Sequence, residues 1–439
     1  MGFKVKLLDA IAEQLSLGDL LDRIKEFEPD YILTLIGFEC FDSDINCLNQ
    51  IKKHHQNSEI IAFGHYPTIF CQEILSKSSV DHILIGEPEE NLVRFFEWRL
   101  YGKESNAGAI SGFVSKEVVT QHNSMGAKRI HDIKELPSPA YDLMNAKHYF
   151  EPFMPRPFAM IQSARGCPYK CNYCVKSYGS RLTLRTPQQI IDELKWLVEL
   201  HQIRSFRFID DTFTVNHHRV KEICQLLAES KLNLKWSCLS RTDNIKPDLL
   251  HSMKKAGCQR IYFGIESGSQ RMLDIYEKDI DVNEARSALK LTRQIGIETS
   301  GFFMLGLPEE TENDFQKTVE FAITSDLSLA SVGGITLYPG TPLYERNKNQ
   351  IDFSLFPYIN RFHDIEVEKR YLRWEREFYN KFFFRSAYFK TVATTFLTKP
   401  NWFIQTAFES LKYTIRGSSF MPGINRQQMM LEKTTTAVS

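Results

Sequence analysis

The string SARGCPYKCNYCVKS places Cys167, Cys171 and Cys174 in a C-x3-C-x2-C pattern. Three thiolates at this spacing can ligate three corners of a cubic iron–sulfur cluster, because thiolate is the usual ligand of such iron. Zinc and chance clustering are the competing readings. A structural zinc site asks for four ligands, mostly Cys or His, and the nearest further candidates in sequence are His148 and His201, outside this loop. A cluster with three protein ligands leaves one iron open, which points to chemistry rather than electron storage.

Four further strings could contribute. FIDDTFTVN (208–216) puts Asp210 and Asp211 at a strand end, where they would either cap the following helix or contact a ligand. CLSRTD (238–243) brings Ser240 and Arg241. A surface salt bridge would account for the arginine, and a carboxylate or ribose contact would use its fork of donors. FGIESGS (263–269) carries Gly264 and Gly268, which let backbone approach a flat ligand, and Glu266, which would bond that ligand or cap a turn. FMLGLPEET (303–311) either runs along a ligand or is a Gly–Pro turn before a helix starting at Glu309.

The elements that position these residues follow from hydrophobic periodicity. Residues 4–101 alternate strands at 5–9, 31–37, 60–64 and 82–86 with helices over Leu17–Phe27, Asp44–His55, Thr68–Ser76 and Glu89–Leu100. Such alternation predicts a doubly wound α/β domain with a buried parallel sheet. Gly37, Gly64 and Gly86 close strands where a sheet of this kind places its ligand crevice. Residues 102–157 break the rhythm with LPSPAYDL and PFMPRP and read as a linker. From 158 to 342 six strands recur, at 158–163, 206–210, 234–240, 260–266, 298–305 and 331–337, which predicts a partial (β/α)6 parallel barrel. The cysteines follow its first strand, on the face where barrels gather active sites. Residues 343–439 read as a helical extension, aromatic and basic at 371–390 and 401–416, with a polar tail. Packing onto the barrel is the default for it. Lining a pocket and peripheral contact with a membrane surface are the alternatives.

Length and composition bound the rest. The 439 residues suggest two or three domains at about 150 residues each. Hydrophobic residues make up 43% and charged residues 25%, and 54 basic side chains balance 54 acidic ones. No global field therefore draws the chain to nucleic acid or anionic lipid. No apolar run approaches the ~18 residues of a membrane span, and MGFKVKLLDA lacks the layout of a signal peptide. Nine cysteines, an odd number, argue against a disulfide scaffold and for a reducing, cytoplasmic setting. Cys40, Cys47, Cys71, Cys224, Cys238 and Cys258 read as small buried hydrophobes.

C-x3-C-x-aromatic-C, with Tyr173 as the aromatic, resembles the signature of the radical S-adenosylmethionine (radical SAM) enzymes. The resemblance implies a [4Fe–4S] cluster on Cys167, Cys171 and Cys174 with S-adenosylmethionine (SAM) chelated at the open iron. It also implies reductive cleavage to a 5′-deoxyadenosyl radical, a small-molecule substrate and a reductant such as flavodoxin or ferredoxin. Tyr173, Asp210, Asp211, Ser240, Arg241, Gly264 and Glu266 would then contact cofactor. With GFKVKLLDA, EPDYILTLI, IIAFGHYPT and ILIGEPEENL in order, residues 2–345 resemble the cobalamin-binding-domain radical SAM enzymes, a class including the anaerobic magnesium-protoporphyrin monomethyl ester cyclase and many methyltransferases. That implies methyl transfer or oxidative cyclisation at an unreactive C–H bond, with cobalamin as a candidate cofactor and a porphyrin-like or lipid-like apolar substrate as a guess. Two departures stand out. The class begins with one more strand–helix unit, so either the start at Met1 is misplaced or domain 1–101 is an incomplete Rossmann-like unit with an exposed sheet edge. No D-x-H-x-x-G string marks a histidine as lower cobalt ligand, which leaves corrinoid binding open. The alternatives are a methylthiotransferase, disfavoured by the spacing of Cys40, Cys47 and Cys71, and a non-catalytic corrinoid-binding or interaction protein.

Overall fold

The computed structural model describes residues 2–37, 40–102, 112–116, 130, 132–352 and 362–415. The N-terminal region runs α1 (Leu17–Phe27), β1 (Tyr31–Leu35), α2 (Phe41–His54), β2 (Glu59–Phe63), α3 (His65–Ile69), α4 (Cys71–Lys77), β3 (His82–Leu84), α5 (Pro88–Tyr101) and β4 (Phe113–Ser115). Local signals set the boundaries. Ser16 and Asp19 form a reciprocal capping box at the start of α1, and Pro88 opens α5 with Gly102 left-handed just past its end, the usual Pro-in, Gly-out asymmetry. The strands order β1-β2-β3-β4. The first three are parallel, and β4 pairs antiparallel with β3.

Two expectations change here. Residues 5–9 are extended chain without a ladder, because apolar alternation cannot by itself supply a strand partner. Val5 and Leu7 are exposed, as are Leu33 and Leu35 on edge strand β1. Conversely, β4 lies in the stretch expected to be linker. Its three buried residues are too few to give a period, and Gly112 at φ 77° turns the chain into it.

The second region contains β5 (Phe158–Ile161), a hairpin of β6 (Ala164–Arg165) and β7 (Thr183–Leu184), α6 (Pro187–His201), β8 (Ser205–Phe208), α7 (His217–Glu229), β9 (Lys235–Ser240), α8 (Pro247–Lys255), β10 (Cys258–Glu266), α9 (Gln270–Ile275), α10 (Val282–Gln294), β11 (Glu298–Leu305), α11 (Glu312–Thr324) and β12 (Leu329–Gly334). Six strands form one parallel sheet in the order β12-β11-β10-β9-β8-β5. Alternate residues Phe206, Phe208, Trp236, Cys238, Ile261 and Phe263 share one apolar core with Ile190, Leu194, Val220 and Ile223 of the covering helices. Between them along the strands come Arg207, Ser237 and Tyr262. These converge on Glu151, which accepts bonds from Arg207 Nε (3.0 Å), Ser237 Oγ (2.8 Å) and Tyr262 Oη (2.8 Å). The Pro-rich stretch before β5 thus delivers a buried carboxylate to the inward side of the sheet rather than serving as a bare tether.

Helices α12 (Pro342–Asn347), α13 (Ile365–Phe383), α14 (Ser386–Thr398) and α15 (Pro400–Ile415) follow. In α13, Tyr371, Trp374, Phe378 and Phe382 are buried in the barrel core, and Trp374 stacks on Phe315 at 4.9 Å. In the next two helices Phe389, Phe396, Leu397 and Phe408 are exposed. No helix among the described residues is long and apolar enough to cross a membrane.

Candidate active site

The cluster loop, residues 166–182, is gripped at both ends by the β6–β7 hairpin, where Ala164 pairs with Leu184 and Arg165 with Thr183. Gly166 at φ 92° makes the turn out of β6, and Cys167 N donates to Gly179 O at 3.1 Å. The middle of the loop is fixed by Asn172, 1% exposed. Its backbone N donates to Tyr276 O (3.2 Å), its side chain to Ile275 O (2.7 Å), and its carbonyl accepts from Leu343 N (3.1 Å). Nothing in the local sequence marks Asn172 for this task, since its partners lie more than a hundred residues away.

The three thiols occupy this one loop and feel one another. Burial pushes the Cys174 thiol up to about 12, with Cys171, Cys167 and Asp211 adding repulsion and Lys278 opposing it. The solvent contact that Cys174 retains does not offset the protein around its sulfur. The Cys174 thiol is therefore protonated in the metal-free state, and a bound cation would be needed to hold it as thiolate. Cys171 Sγ accepts from Arg241 Nη1 at 3.5 Å, and Cys167 Sγ lies 3.9 Å from the Thr212 hydroxyl.

The zinc alternative loses its donors. His148 lies against Ala12 O and His201 against Tyr141 O. Among the described residues no three His, Cys, Asp or Glu side chains converge on a point for a single ion. A cubic cluster makes a different demand, since each thiolate binds a different iron. The donor set on the loop fits that group.

The other predicted residues divide by task. Asp210, 1% exposed, accepts from Ser163 N (2.6 Å), Ser163 Oγ (2.5 Å) and Ala164 N (3.0 Å). Its oxygens are thus spent on the start of the cluster loop, so it positions that loop from below. Burial pushes its carboxyl up despite these bonds and the field of Arg219. Asp211 is exposed, within electrostatic reach of Cys174. Ser240 Oγ is buried against Thr214 Oγ1 at 2.6 Å and donates to Arg241 O, so its hydroxyl is turned into the sheet. Arg241 touches sulfur, not solvent.

Gly264 and Gly268 approach protein. A Cβ on Gly264 would meet Glu266 Oε1 at 2.7 Å and Lys278 Nζ at 3.1 Å, and one on Gly268 would meet the backbone of α11 at 2.5 Å. Glu266 sits at φ 67°, where a register shift in β10 re-aims its side chain, as bulges do. Its Oε1 accepts from Lys278 Nζ at 2.8 Å, and that ammonium also donates to Tyr173 Oη at 3.1 Å. Burial, then Glu266 and two of the thiols, raise the Tyr173 phenol well above its usual range. Lys278, Asn172, Tyr169 and Thr212 were not legible as site residues. The helix after FMLGLPEET starts at Glu312. Glu310 instead folds back, accepting from Gly306 N at 2.7 Å, and burial pushes its carboxyl up to about 7.

The N-terminal sheet turns its strand ends toward this loop. Arg165, two residues before Cys167, donates to Glu87 (2.6 Å), which precedes α5, and to Glu89 (2.5 Å) in its first turn. Ser177 meets His65, at the start of α3, at 3.3 Å, and His65 faces the Tyr338 ring at 6.1 Å. Burial drives the His65 imidazole down to about 4, so it is neutral at physiological pH. Cys71 is buried in the N-terminal core. Cys224, Cys238 and Cys258 are buried in the barrel core.

Residues 161–322 match the sequence model of the Radical SAM superfamily. An uncharacterised methyltransferase of Pyrococcus horikoshii is 30% identical over 348 residues, 78% of this chain and 74% of that protein. The chain belongs to the radical SAM superfamily. An anaerobic magnesium-protoporphyrin IX monomethyl ester cyclase of Cereibacter sphaeroides is 27% identical over 80% of this chain, which spans 59% of its length. In fold, the cobalamin-dependent SAM radical enzyme OxsB superposes with a TM-score of 0.63 at 20% identity, covering 79% of this chain and 50% of OxsB. The chain is thus a radical SAM enzyme, and a [4Fe–4S] cluster and SAM are its cofactors. Radical SAM chemistry of this kind uses small-molecule substrates and a reductant.

Proposed function

We propose that Cys167, Cys171 and Cys174 hold the [4Fe–4S] cluster, that the remaining iron is left for SAM, and that the enzyme transfers a methyl group or closes a ring at an unreactive C–H bond of a small apolar molecule. The observation that carries this is the gathering of Cys167, Cys171 and Cys174 on one hairpin-pinned loop at the C-terminal ends of parallel strands. The bound cluster supplies the electron for cleaving SAM to a 5′-deoxyadenosyl radical. The chain's own part is placement. Asp210 fixes the entry to the loop, Asn172 its middle, and Lys278 ties Tyr173 of the loop to Glu266 of β10. Asp211 and Glu266 would be the carboxylates that meet the polar groups of SAM.

Residues 1–101 with β4 would form the N-terminal domain, 158–342 the barrel and 343–439 the extension. The crevice of the N-terminal sheet, at Gly64–His65 and Gly86–Glu87, faces the cluster loop. That placement, and the cobalamin dependence named for OxsB, support a corrinoid held between the two sheets. The exposed aromatic residues of α14 and α15 support peripheral contact with a membrane or an apolar substrate source. Flavodoxin or ferredoxin would supply the electron in a cytoplasmic setting.

Anaerobic reconstitution tests the central reading. The wild-type chain is expected to take up iron and sulfide near four each per chain, and to release 5′-deoxyadenosine from SAM and dithionite. Cys171→Ala is expected to lose both. A variant keeping the brown chromophore and the product would overturn the assignment.

A further inference from the structure

Arg241 is 4% exposed at the end of β9, and four groups surround its guanidinium. The Asp243 carboxylate accepts from Nε at 3.0 Å and from Nη2 at 2.9 Å. Lys278 O accepts from Nη2 at 2.7 Å. The Tyr169 ring lies under the plane, its centroid 3.9 Å from Cζ, and Tyr169 is itself tied to Asn244 Oδ1 at 2.7 Å. Nη1 donates to Cys171 Sγ at 3.5 Å. A guanidinium remains charged at any pH a protein tolerates, and this one has no rotamer left to lose. The three corners of the thiol set are therefore unlike. Cys171 receives a charged N–H donor, while Cys167 meets a neutral hydroxyl at 3.9 Å.

From this asymmetry we infer that Arg241 is a positioning residue that acts through the Cys171 sulfur to raise the reduction potential of the cluster. The inference rests on the reading that Cys171 ligates iron. Adding an electron to a thiolate-bound cluster raises the negative charge on its sulfurs. A donor and a fixed positive charge beside one of them stabilise the reduced state more than the oxidised one, and hydrogen bonds to sulfur are a recognised lever on cluster potential. Asp243 tempers the charge but does not touch the sulfur, so the donor keeps its effect at the ligand. If Arg241 served only to brace Asp243 and Tyr169, its loss would change stability and leave the potential alone.

The test compares the wild-type chain with Arg241→Gln and Arg241→Lys, each reconstituted anaerobically and assayed for iron, sulfide and far-UV circular dichroism. An EPR-monitored redox titration without SAM then gives the midpoint. At the wild-type midpoint, the reduced-to-oxidised ratio of Arg241→Gln is expected to fall about tenfold, equivalent to about 59 mV for one electron. Arg241→Lys, which keeps the charge and loses the planar fork, is expected to fall between the two. A cluster-loaded Arg241→Gln or Arg241→Lys with the wild-type midpoint overturns the inference. So does a pair of folded variants that load no iron, because Arg241 would then serve assembly rather than potential. Wild-type chain that takes up no iron overturns the ligand assignment as well, which separates the two failures.

Discussion

The two main sheets of this protein, one parallel and one parallel but for its edge strand β4, repeat the same βα unit, and both aim their strand ends at the cluster loop, but they reach it differently. The barrel sheet meets the loop and its base through buried side chains that are already satisfied: Asp210 on Ser163 and Ala164 just before it, Arg241 on Cys171, Lys278 on Tyr173. The N-terminal sheet meets it through Arg165 on Glu87 and Glu89 and through the His65–Ser177 contact. Its far edge carries exposed Leu33 and Leu35. One side is built to hold a geometry and the other to present a crevice. Breaking a barrel contact should therefore damage the site itself, whereas breaking the interface should change only how the crevice is held over it.

The largest effect is expected for Asp210→Ala. It strands the Ser163 hydroxyl and two backbone N–H groups and removes the carboxylate whose field faces the buried Arg219 guanidinium, which keeps its own bond to Ser163 O at 2.8 Å. Removing one side of a buried charged network typically costs about 3–5 kcal/mol. Urea unfolding should show a loss of that size, and iron uptake should fall with it, because the hairpin that grips the loop loses its anchor. Unchanged stability with full iron loading would show that the loop is held by its own backbone.

Which parts of this arrangement were legible follows from how local each one is. The cysteine trio stands out because its three thiols fall within eight residues of one loop, and the six barrel strands could be read because each carries its own apolar alternation. Asp210 and Ser240 were visible as polar residues at strand ends, but spacing cannot tell a side chain that faces a ligand from one that closes the sheet. Lys278 and Asn172 were hidden because their partners come from other βα units. The β6–β7 hairpin and β4 were hidden because two or three residues make no period. Residues 5–9 failed in the opposite sense, carrying the period without the ladder. Composition misled least where packing could be weighed. Equally aromatic stretches gave α13, whose Phe378 and Trp374 pack beside Phe303 and Phe315, and the pair α14 and α15, where Phe389, Phe396 and Phe408 are exposed while Phe403 stacks on Phe153.

A second prediction concerns pH. Glu310, 1% exposed, has its carboxyl raised to about 7 by burial, so the native state favours the neutral acid. Below the unfolded value near 4.5 both states are protonated and nothing is lost. As pH climbs from there through 7, the unfolded state ionises first and stability falls, reaching about 2–3 kcal/mol in full. Thermal melts of the metal-free wild-type chain should therefore weaken between pH 5 and 8. Glu310→Gln, which keeps an acceptor for Gly306 N, should flatten that slope. A slope identical in both proteins would assign the pH dependence elsewhere.

The smallest effect, and the one that bears most directly on the two-sheet contrast, is expected for Glu87→Gln. Glu87 and Arg165 leave 3% and 10% of their side chains exposed, so the pair is screened little by water. Gln keeps one acceptor oxygen, enough for Arg165 Nη1 or for Ile130 N but not for both, and the attraction between full charges is lost. Glu89, 35% exposed, remains as a second partner, which limits the cost to about 1–2 kcal/mol. The loss should appear in calorimetry as an earlier unfolding shoulder from the N-terminal sheet, while the barrel transition and its iron content stay at wild-type values. If the barrel transition moved down equally and iron were lost, the crevice would prove to be part of the cluster's support, and the division of labour between the sheets would fail.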